Sequence, residues 1–525
     1  MPRLNSNVRF VRRAAALVLC GCLTLAQACS SQPTGETSAD PWNGIVINDG
    51  KPLTLICDLN GLMPTTNTEP TEQSPVVFNS MREIAADFCE MFPNVTIEWA
   101  YSKKSAGDWA QWMTTQIATD PPDIVMMHGS EYSDRGWFIE LNDVLEEPNV
   151  FISEGERGSV RWKDLFPDYM WTSDMTCDAA GNIVAVPVTC YPGTATAYFY
   201  NKEIFGELGL EIPQTWEELK EICKVIKAAG YIPIAPWSLN AKANIDVWDI
   251  QFSLGPTYAE KIRTQWDYDG NGYMTQNELL RAVYEGVFYG QGQNRGNILS
   301  LYNEVKYKYN DILETGAAET DYEPSWNKGR VAMMEDGMWR ISAENVNVER
   351  KFEYGIFPTP LADSSTSAEY CADFETGLGA YNPPICESFN ICKQAVETKG
   401  EAHLLASKLF LMWITKPENV DRMVDELAGQ SVGAVYGSSI PADIYDFITG
   451  PFARTPNCQW TTGVTVSTQK SMSRYFQMWV SGKLSDADFL KRYDSGLHEG
   501  AVDMIGALGI DVSGWKDGYD PSHSY

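Results

Sequence analysis

The chain has 525 residues, a formal net charge of −30, 44% hydrophobic residues and 21% charged residues. This is a globular composition, and its acidity, without a Lys/Arg cluster beyond the extreme N-terminus, excludes nucleic acid and anionic lipid surfaces as partners, since both require basic stripes. A body of ~480 residues exceeds one ordinary core and predicts two or three lobes.

The first segment is an address. Arg3, Arg9, Arg12 and Arg13 form a basic region with no acidic residue before Glu36. Ala14 to Ala26 is an apolar run of 13 residues. As a helix it is ~20 Å long, too short for a ~30 Å hydrocarbon core. Small residues Ala26 and Ala28 then precede Cys29. Basic, short apolar and small-residue segments in that order read as a secretory signal. Leu25-Ala26-Gln27-Ala28-Cys29-Ser30-Ser31 looks like a bacterial lipoprotein cleavage box, whose cysteine is acylated and becomes the new N-terminus. Residues 1–28 are therefore expected to be a signal peptide and Cys29 the lipid attachment site. Cys22, in Leu19-Cys20-Gly21-Cys22, competes for the lipid but leaves a shorter apolar segment. Residues 29–50 are expected to be a flexible tether, since residues 30 to 43 hold almost nothing apolar. The expected location is extracytoplasmic, anchored to the bacterial cell membrane through the lipid.

The body opens with Leu53 to Cys57, a short buried strand ended by Asp58-Leu59-Asn60-Gly61. Apolar positions 81, 84, 85, 88, 91 and 92 give a helix over Ser80 to Phe92, and Val95 to Trp99 alternates as a strand. A helix over Ala106 to Thr119 and a second buried strand over Asp123 to Met127 follow. This alternation predicts a parallel sheet covered by helices, with ligands beyond the carboxyl ends of its strands. Asp58 to Gly61 and His128 to Asp134 then become rim loops. A second α/β unit begins at Tyr198-Phe199-Tyr200, with a helix over Glu203 to Leu208. Thr215 and Glu218 make a capping box for a helix reaching Ala229, and Ile232 to Ala235 is a strand. Nine cysteines lie beyond Cys29, none in C-x-x-C spacing, so zinc-ribbon and thioredoxin-type sites are not supported. Cys177 and Cys190 flank a predicted hairpin at Gly181-Asn182 and are a candidate pair; buried thiols are expected for most of the others.

Six phrases in order carry a resemblance. They are Val184 to Val188; Tyr198 to Phe205 with Asn201-Lys202-Glu203; Pro213-Gln214-Thr215-Trp216-Glu217-Glu218-Leu219 with Ala228 to Ala235; Gly329 to Trp339, ending Gly337-Met338-Trp339; Tyr354 to Pro360; and Ala406 to Asn419. Together they resemble family 1 extracellular solute-binding proteins, the maltose-binding-protein-like receptors of carbohydrate ABC importers. The resemblance implies a two-lobed α/β, type II periplasmic-binding-protein-like fold with a hinged cleft and no catalysis. It implies a first lobe of residues 51–195 with 355–420 and a second of 196–354 with 421–525. It further implies a carbohydrate ligand, ABC permease subunits as partners, and a monomer.

Asp267-Tyr268-Asp269-Gly270-Asn271-Gly272-Tyr273-Met274-Thr275-Gln276-Asn277-Glu278 satisfies D-x-[DN]-x-[DN]-G-x₅-E at every position. Calcium requires six to eight oxygens. Asp267, Asp269 and Asn271 supply side-chain oxygens, Tyr273 its carbonyl, Thr275 a hydroxyl or bridging water, and Glu278 both carboxylate oxygens. Residues 267–278 are therefore expected to form an EF-hand-like loop holding structural Ca2+, inserted in the second lobe. An acidic Asn-Gly turn that binds nothing is the alternative.

Sugars are held by aromatic faces against C–H patches and by planar polar groups on adjacent hydroxyls. The resemblance places Trp339 at the cleft. Trp237 at a strand end, Tyr191 before the crossover and Trp460 in a loop are further aromatic candidates. Asp58, Glu131, Asp134 and Asp373 are the polar candidates on predicted rim loops. No H-E-x-x-H, G-x-S-x-G or phosphate-cradling loop is present. A calcium-dependent carbohydrate adhesin and a glycoside-active surface enzyme, which needs only two carboxylates, are the competing readings.

Overall fold

The structure is a computed structural model that describes residues 42, 44–71, 76–101, 109–130, 132–191, 196–236, 254, 266–268, 270, 275–291, 295–313, 322–360, 362–366, 386–427, 430–439 and 463–525. In chain order, β1 (Leu53–Asp58) is followed by α1 (Ser80–Met91), β2 (Val95–Trp99), α2 (Trp109–Thr119), β3 (Ile124–Val125), α3 (Asn142–Leu145) and β4 (Val186–Cys190). Next come β5 (Thr196–Asn201), α4 (Lys202–Leu208), α5 (Trp216–Ala228) and β6 (Ile232–Pro236). α6 (Gln276–Tyr284), α7 (Arg295–Tyr307), α8 (Tyr322–Asn327), β7 (Val331–Gly337), α9 (Arg340–Asn345) and β8 (Tyr354–Pro358) follow. The order ends with β9 (Cys386–Ile391), α10 (Lys393–Lys399), α11 (Glu401–Ile414), α12 (Pro417–Glu426), β10 (Val432–Gly433), α13 (Val466–Val480) and α14 (Asp486–Leu508).

These strands form a six-stranded sheet, ordered β10-β4-β9-β3-β1-β2, and a four-stranded sheet, ordered β6-β7-β5-β8. In the first sheet β1 runs parallel to β2 and β3, while β9 runs antiparallel between β3 and β4. The carboxyl ends of β1, β3 and β4 and the amino end of β9 therefore share one edge. In the second sheet β5 is antiparallel to β7 and β8, and β6 is parallel to β7. The amino end of β5 thus lies beside the carboxyl ends of β6, β7 and β8. The short link from β4 to β5 joins these two edges, so they face each other across the crossover.

Local sequence explains most of these elements. α1 buries Met81, Ile84, Ala85 and Phe88 along one face, the 3.6-residue period expected of them. α5 begins in the expected capping box of Thr215 and Glu218, and α4 is capped by the Asn201 side chain and closed by left-handed Gly209. Pro417 ends one long apolar run and starts the next helix at its first turn.

The first-lobe core gathers Phe88, Ile124, Leu409, Phe410 and Trp162, with the rings of Phe88 and Phe410 5.1 Å apart. Asp123, 1% exposed, ties this lobe together. Its carboxylate accepts from the Ile56 amide at 2.8 Å and Lys399 Nζ at 2.9 Å, and bonds His403 Nδ1 at 2.8 Å. The second-lobe core includes Trp216, Tyr289, Phe476, Trp479 and Phe489, with Trp479 stacked on Phe489 at 4.6 Å. Buried Lys308 is neutralised there by Glu335 at 2.6 Å.

The lobe boundaries differ from the sequence reading in two places. β8 pairs with β5 in the second sheet, although residues 355–420 were assigned to the first lobe. β10 pairs with β4 in the first sheet, although 421–525 were assigned to the second. Each strand is short and carries no sign of which edge it joins. The lobes also touch away from the crossover. Ala179, on the hairpin between Cys177 and Ile183, is fully buried within the second-lobe core, and Gly181 abuts Asn277. Cys177 donates to the Trp171 carbonyl at 3.0 Å and is not joined to Cys190, so the candidate pair across this hairpin does not form. Among the described residues no helix is long and apolar enough to cross a membrane.

Candidate functional site

Asp58 is the last residue of β1 and is 1% exposed. Its Oδ1 accepts from the Asn60 amide at 3.4 Å, and its Oδ2 is buried without a partner. Burial raises its pKa from 3.8 to about 6, against the pull of the Asn60 amide. The chain then turns through Asn60 with φ of 46°. This brings Gly61 beside Glu387, where a Cβ would lie 3.7 Å from the carboxylate.

Glu387 stands at the amino end of β9, 7% exposed. The Tyr191 hydroxyl donates to its Oε1, while its Oε2 is buried and unpartnered. Burial raises the Glu387 pKa; the Tyr191 hydroxyl and nearby His128 act in the opposite direction. His128, beyond the end of β3, lies 3.9 Å from Asp174. Burial, reinforced by the Glu387 charge, holds the Tyr191 phenol well above its ordinary value. Tyr191 is therefore a donor at neutral pH, and Glu387 keeps acceptor capacity to spare.

The second lobe closes this cluster with Trp339. Its ring meets Tyr191 edge-on, with centroids 5.5 Å apart at 73°. The ring lies directly over Gly337, where a Cβ would fall 2.2 Å from its atoms, so only glycine admits this approach. Asp336 accepts from the Gly337 amide at 2.7 Å and pairs with Arg340 at 3.1 Å. The turn that presents Trp339 is thus held from both sides.

Of the predicted ligand-binding residues, Tyr191 and Trp339 meet here, and Asp58 stands at the same edge of the sheet, at the carboxyl end of β1. Asp134 does not join them. It sits on a short 3-10 turn, Ser133–Arg135, beside the end of α14 at Ala507 and Leu508. Glu131, Trp237, Trp460 and Asp373 lie outside the described residues, as does Cys29. Glu387, His128 and Asp174 were not singled out from sequence. Glu387 had one signal, a charge inside the otherwise uncharged strand Cys386–Ile391; Asp174 had none.

Three of the six expected calcium ligands, Asp267, Thr275 and Glu278, are described; Asp269, Asn271 and Tyr273 lie outside. Thr275 caps α6 by accepting from the Glu278 amide at 3.3 Å. Glu278, 7% exposed, accepts from Thr275 Oγ1 at 2.9 Å and, through its other oxygen, from the Tyr268 amide at 2.9 Å. The carboxylate at the end of the loop is thereby turned back onto its first residues, beside Asp267. Among the described residues no three His, Cys, Asp or Glu side chains converge as a metal site.

Comparison with known proteins agrees with this architecture. The model of the family "Bacterial extracellular solute-binding protein" matches residues 73–382. A "Multiple sugar-binding protein" of Streptococcus mutans serotype c is 25% identical over 185 residues, 34% of this chain and 38% of that relative's length. The solute-binding protein RafE in complex with raffinose superposes with a TM-score of 0.53 at 18% identity, covering 86% of this chain and 100% of RafE. The GacH receptor of Streptomyces glaucescens GLA.O, solved unliganded and with acarbose, gives 0.55 at 14% identity, covering 86% and 98%. These structures share the two-lobed type II fold. With its family model spanning residues 73–382, more than half of the chain, this protein belongs to the bacterial extracellular solute-binding proteins.

Proposed function

We propose that this chain captures an extracellular oligosaccharide in the cleft between its lobes and delivers it to the permease subunits of an ABC importer. The observation that carries the reading is the meeting of Tyr191 and Trp339 beside the Glu387 carboxylate, with Asp58 Oδ2 at the same edge of the sheet. An aromatic corner fits the C–H face of a pyranose, and buried carboxylate oxygens without partners accept from adjacent hydroxyls. The sugar-binding relative and the raffinose and acarbose complexes support the ligand class. The charge balance narrows it: among the described residues, Asp58, Asp174 and Glu387 stand at this edge of the sheet against the His128 imidazole, which disfavours uronates and sugar phosphates. The ligand is a neutral, hydroxyl-rich oligosaccharide. On the strength of the N-terminal sequence, the protein is exported by residues 1–28 and tethered through a lipid on Cys29; a monomer is proposed from the family resemblance alone.

Calcium is proposed as a structural clip in residues 267–278. Asp267, Asp269, Asn271, Tyr273, Thr275 and Glu278 would hold it. The capped start of α6 and the inward-turned Glu278 carboxylate fit that role. Calcium would cross-link the loop and supply no reaction chemistry.

Isothermal titration against neutral gluco- and galacto-oligosaccharides, with uronate oligomers as the contrasting set, tests the main reading. Saturable binding of an unaltered neutral oligosaccharide is expected. Release of cleaved product, or preference for the uronates, overturns it.

A further inference from the structure

Cys190 ends β4 and Cys386 begins β9, and the two are register partners in that antiparallel pair. Both are buried, 4% and 1% exposed, in a small cluster with Met170 and Ala434. Their thiols hydrogen-bond each other, and Met170 Sδ lies 3.4 Å from Cys386 Sγ. Directly opposed residues of antiparallel strands have Cα atoms ~4.5–5.5 Å apart, inside the ~4.4–6.8 Å that a disulfide spans. Joining them therefore requires rotation about the Cα–Cβ bonds and no movement of either strand. Among the described residues no other two cysteines are strand partners. The next residue after each is a member of the ligand cluster: Tyr191 follows Cys190, and Glu387 follows Cys386.

We propose that Cys190 and Cys386 form a cross-strand disulfide by exchange with a low-molecular-weight disulfide, fixing the register of the two strands that present Tyr191 and Glu387. The Cys190 thiolate attacks one sulfur of the small disulfide, giving a mixed disulfide and expelling one thiolate. The Cys386 thiolate then attacks Cys190 Sγ and expels the second. The protein loses two thiol protons and two electrons, and the small disulfide is reduced to two thiols.

In the folded chain the hydrogen bond from Cys190 and burial raise the Cys386 thiol well above its ordinary value, which slows attack. Cys190 is covered by β10, the outermost strand of the sheet, whose Val432 pairs with it. Exchange therefore belongs to assembly of the sheet, before this edge closes.

The full chain, reduced and denatured, is refolded in a reduced/oxidised glutathione buffer, then blocked with N-ethylmaleimide in denaturant so that buried thiols also react, and mapped without reduction, with fragment-level assignment of each cysteine. The expected result is a Cys190–Cys386 link in most molecules, with a Tm at least about 3 °C above that of the dithiothreitol-treated protein. Cys190→Ser is expected to leave Cys386 alkylated; should that variant fail to fold, Cys386→Ala gives the reciprocal reading at Cys190. Three results overturn the proposal. Both cysteines are recovered alkylated from refolded wild-type protein, either one links to a different cysteine, or both are shielded by a bound soft metal such as Cu(I) that a chelator releases.

Discussion

The Tyr191 hydroxyl donates to Glu387 across 196 positions of chain, and it joins the crossover between the lobes to the floor of the first-lobe sheet. The bond occupies one oxygen of a buried carboxylate and leaves the other open. Tyr191→Phe strips the occupied oxygen of its donor while keeping the ring against Trp339. A charge-assisted hydrogen bond of this kind contributes about 1.5–3 kcal/mol. Oligosaccharide affinity is expected to fall roughly ten- to a hundredfold, with the chain still folded. Titration calorimetry alongside circular dichroism checks both parts.

Asp58 makes stability depend on acidity. Its pKa is about 6 in the folded chain against an ordinary 3.8, so the folded state binds the proton more tightly. That stabilisation is fully present below pH ~4 and is lost as pH rises through ~6. Asp336 and Asp494, each raised to about 6 mainly by burial, act in the same direction. Denaturant unfolding is therefore expected to show higher stability at pH 5.5 than at pH 7.5. Asp58→Asn should stabilise the protein at pH 7.5 by about 2–3 kcal/mol and flatten part of the profile. The same substitution should weaken oligosaccharide binding, because an amide presents only one acceptor oxygen.

Gly337→Ala tests the approach of Trp339. The added methyl would fall 2.2 Å from the indole, so the ring must leave its place against Tyr191. The expected outcome is an affinity loss comparable to that of Trp339→Ala, with little change in unfolding midpoint. Equal binding by Gly337→Ala and wild type would detach the ring position from ligand capture.

Sequence disclosed local structure far better than pairing. The Thr215–Glu218 box, the β1-α1-β2-α2-β3 alternation and the Gly337-Met338-Trp339 phrase are contiguous, so their physics is visible in a short window. Glu387 offered only its lone charge within β9 as a signal, because its partners come from three other segments: Tyr191, His128 and Gly61. β8 and β10 were placed in the wrong lobe for the same reason. A strand of two to five residues says how it is buried but not beside which neighbour. Asp134 looked equivalent to Asp58, both being acidic residues on a rim loop. What separates them is the end of α14, a helix more than 350 positions later.

The calcium clip predicts a metal-dependent melting point. Removing calcium with a chelator should lower the Tm, by about 2–4 °C for each kcal/mol of lost metal binding in a domain of this size. Asp267→Asn combined with Glu278→Gln should abolish the calcium response. Differential scanning calorimetry with magnesium in place of calcium supplies the control. A Tm indifferent to calcium would leave the loop as an acidic turn.

Asp123 offers a structural contrast to the cleft carboxylates. Asp123→Ala removes the common acceptor for Ile56, Lys399 and His403, leaving the Ile56 amide without its acceptor and half-buried Lys399 with only the Pro121 carbonyl. A destabilisation of about 1.5–3 kcal/mol is expected in urea. At a temperature where the variant remains folded, its affinity for oligosaccharide should match wild type.

Ala179 limits how this trap can open. A side chain rooted in one lobe and enclosed by the core of the other resists being pulled out, since extraction would open a void on one side and wet a methyl group on the other. Turning about it disturbs far less. The hairpin tip thus behaves as a pivot, and the lobes travel on an arc around it instead of parting along a line. Side chains farther from the pivot then move more for a given rotation, while Ser133, whose hydroxyl accepts from the Ala179 amide at 2.9 Å, barely shifts. Enlarging Ala179 should stiffen or jam that rotation without touching any group that meets the ligand.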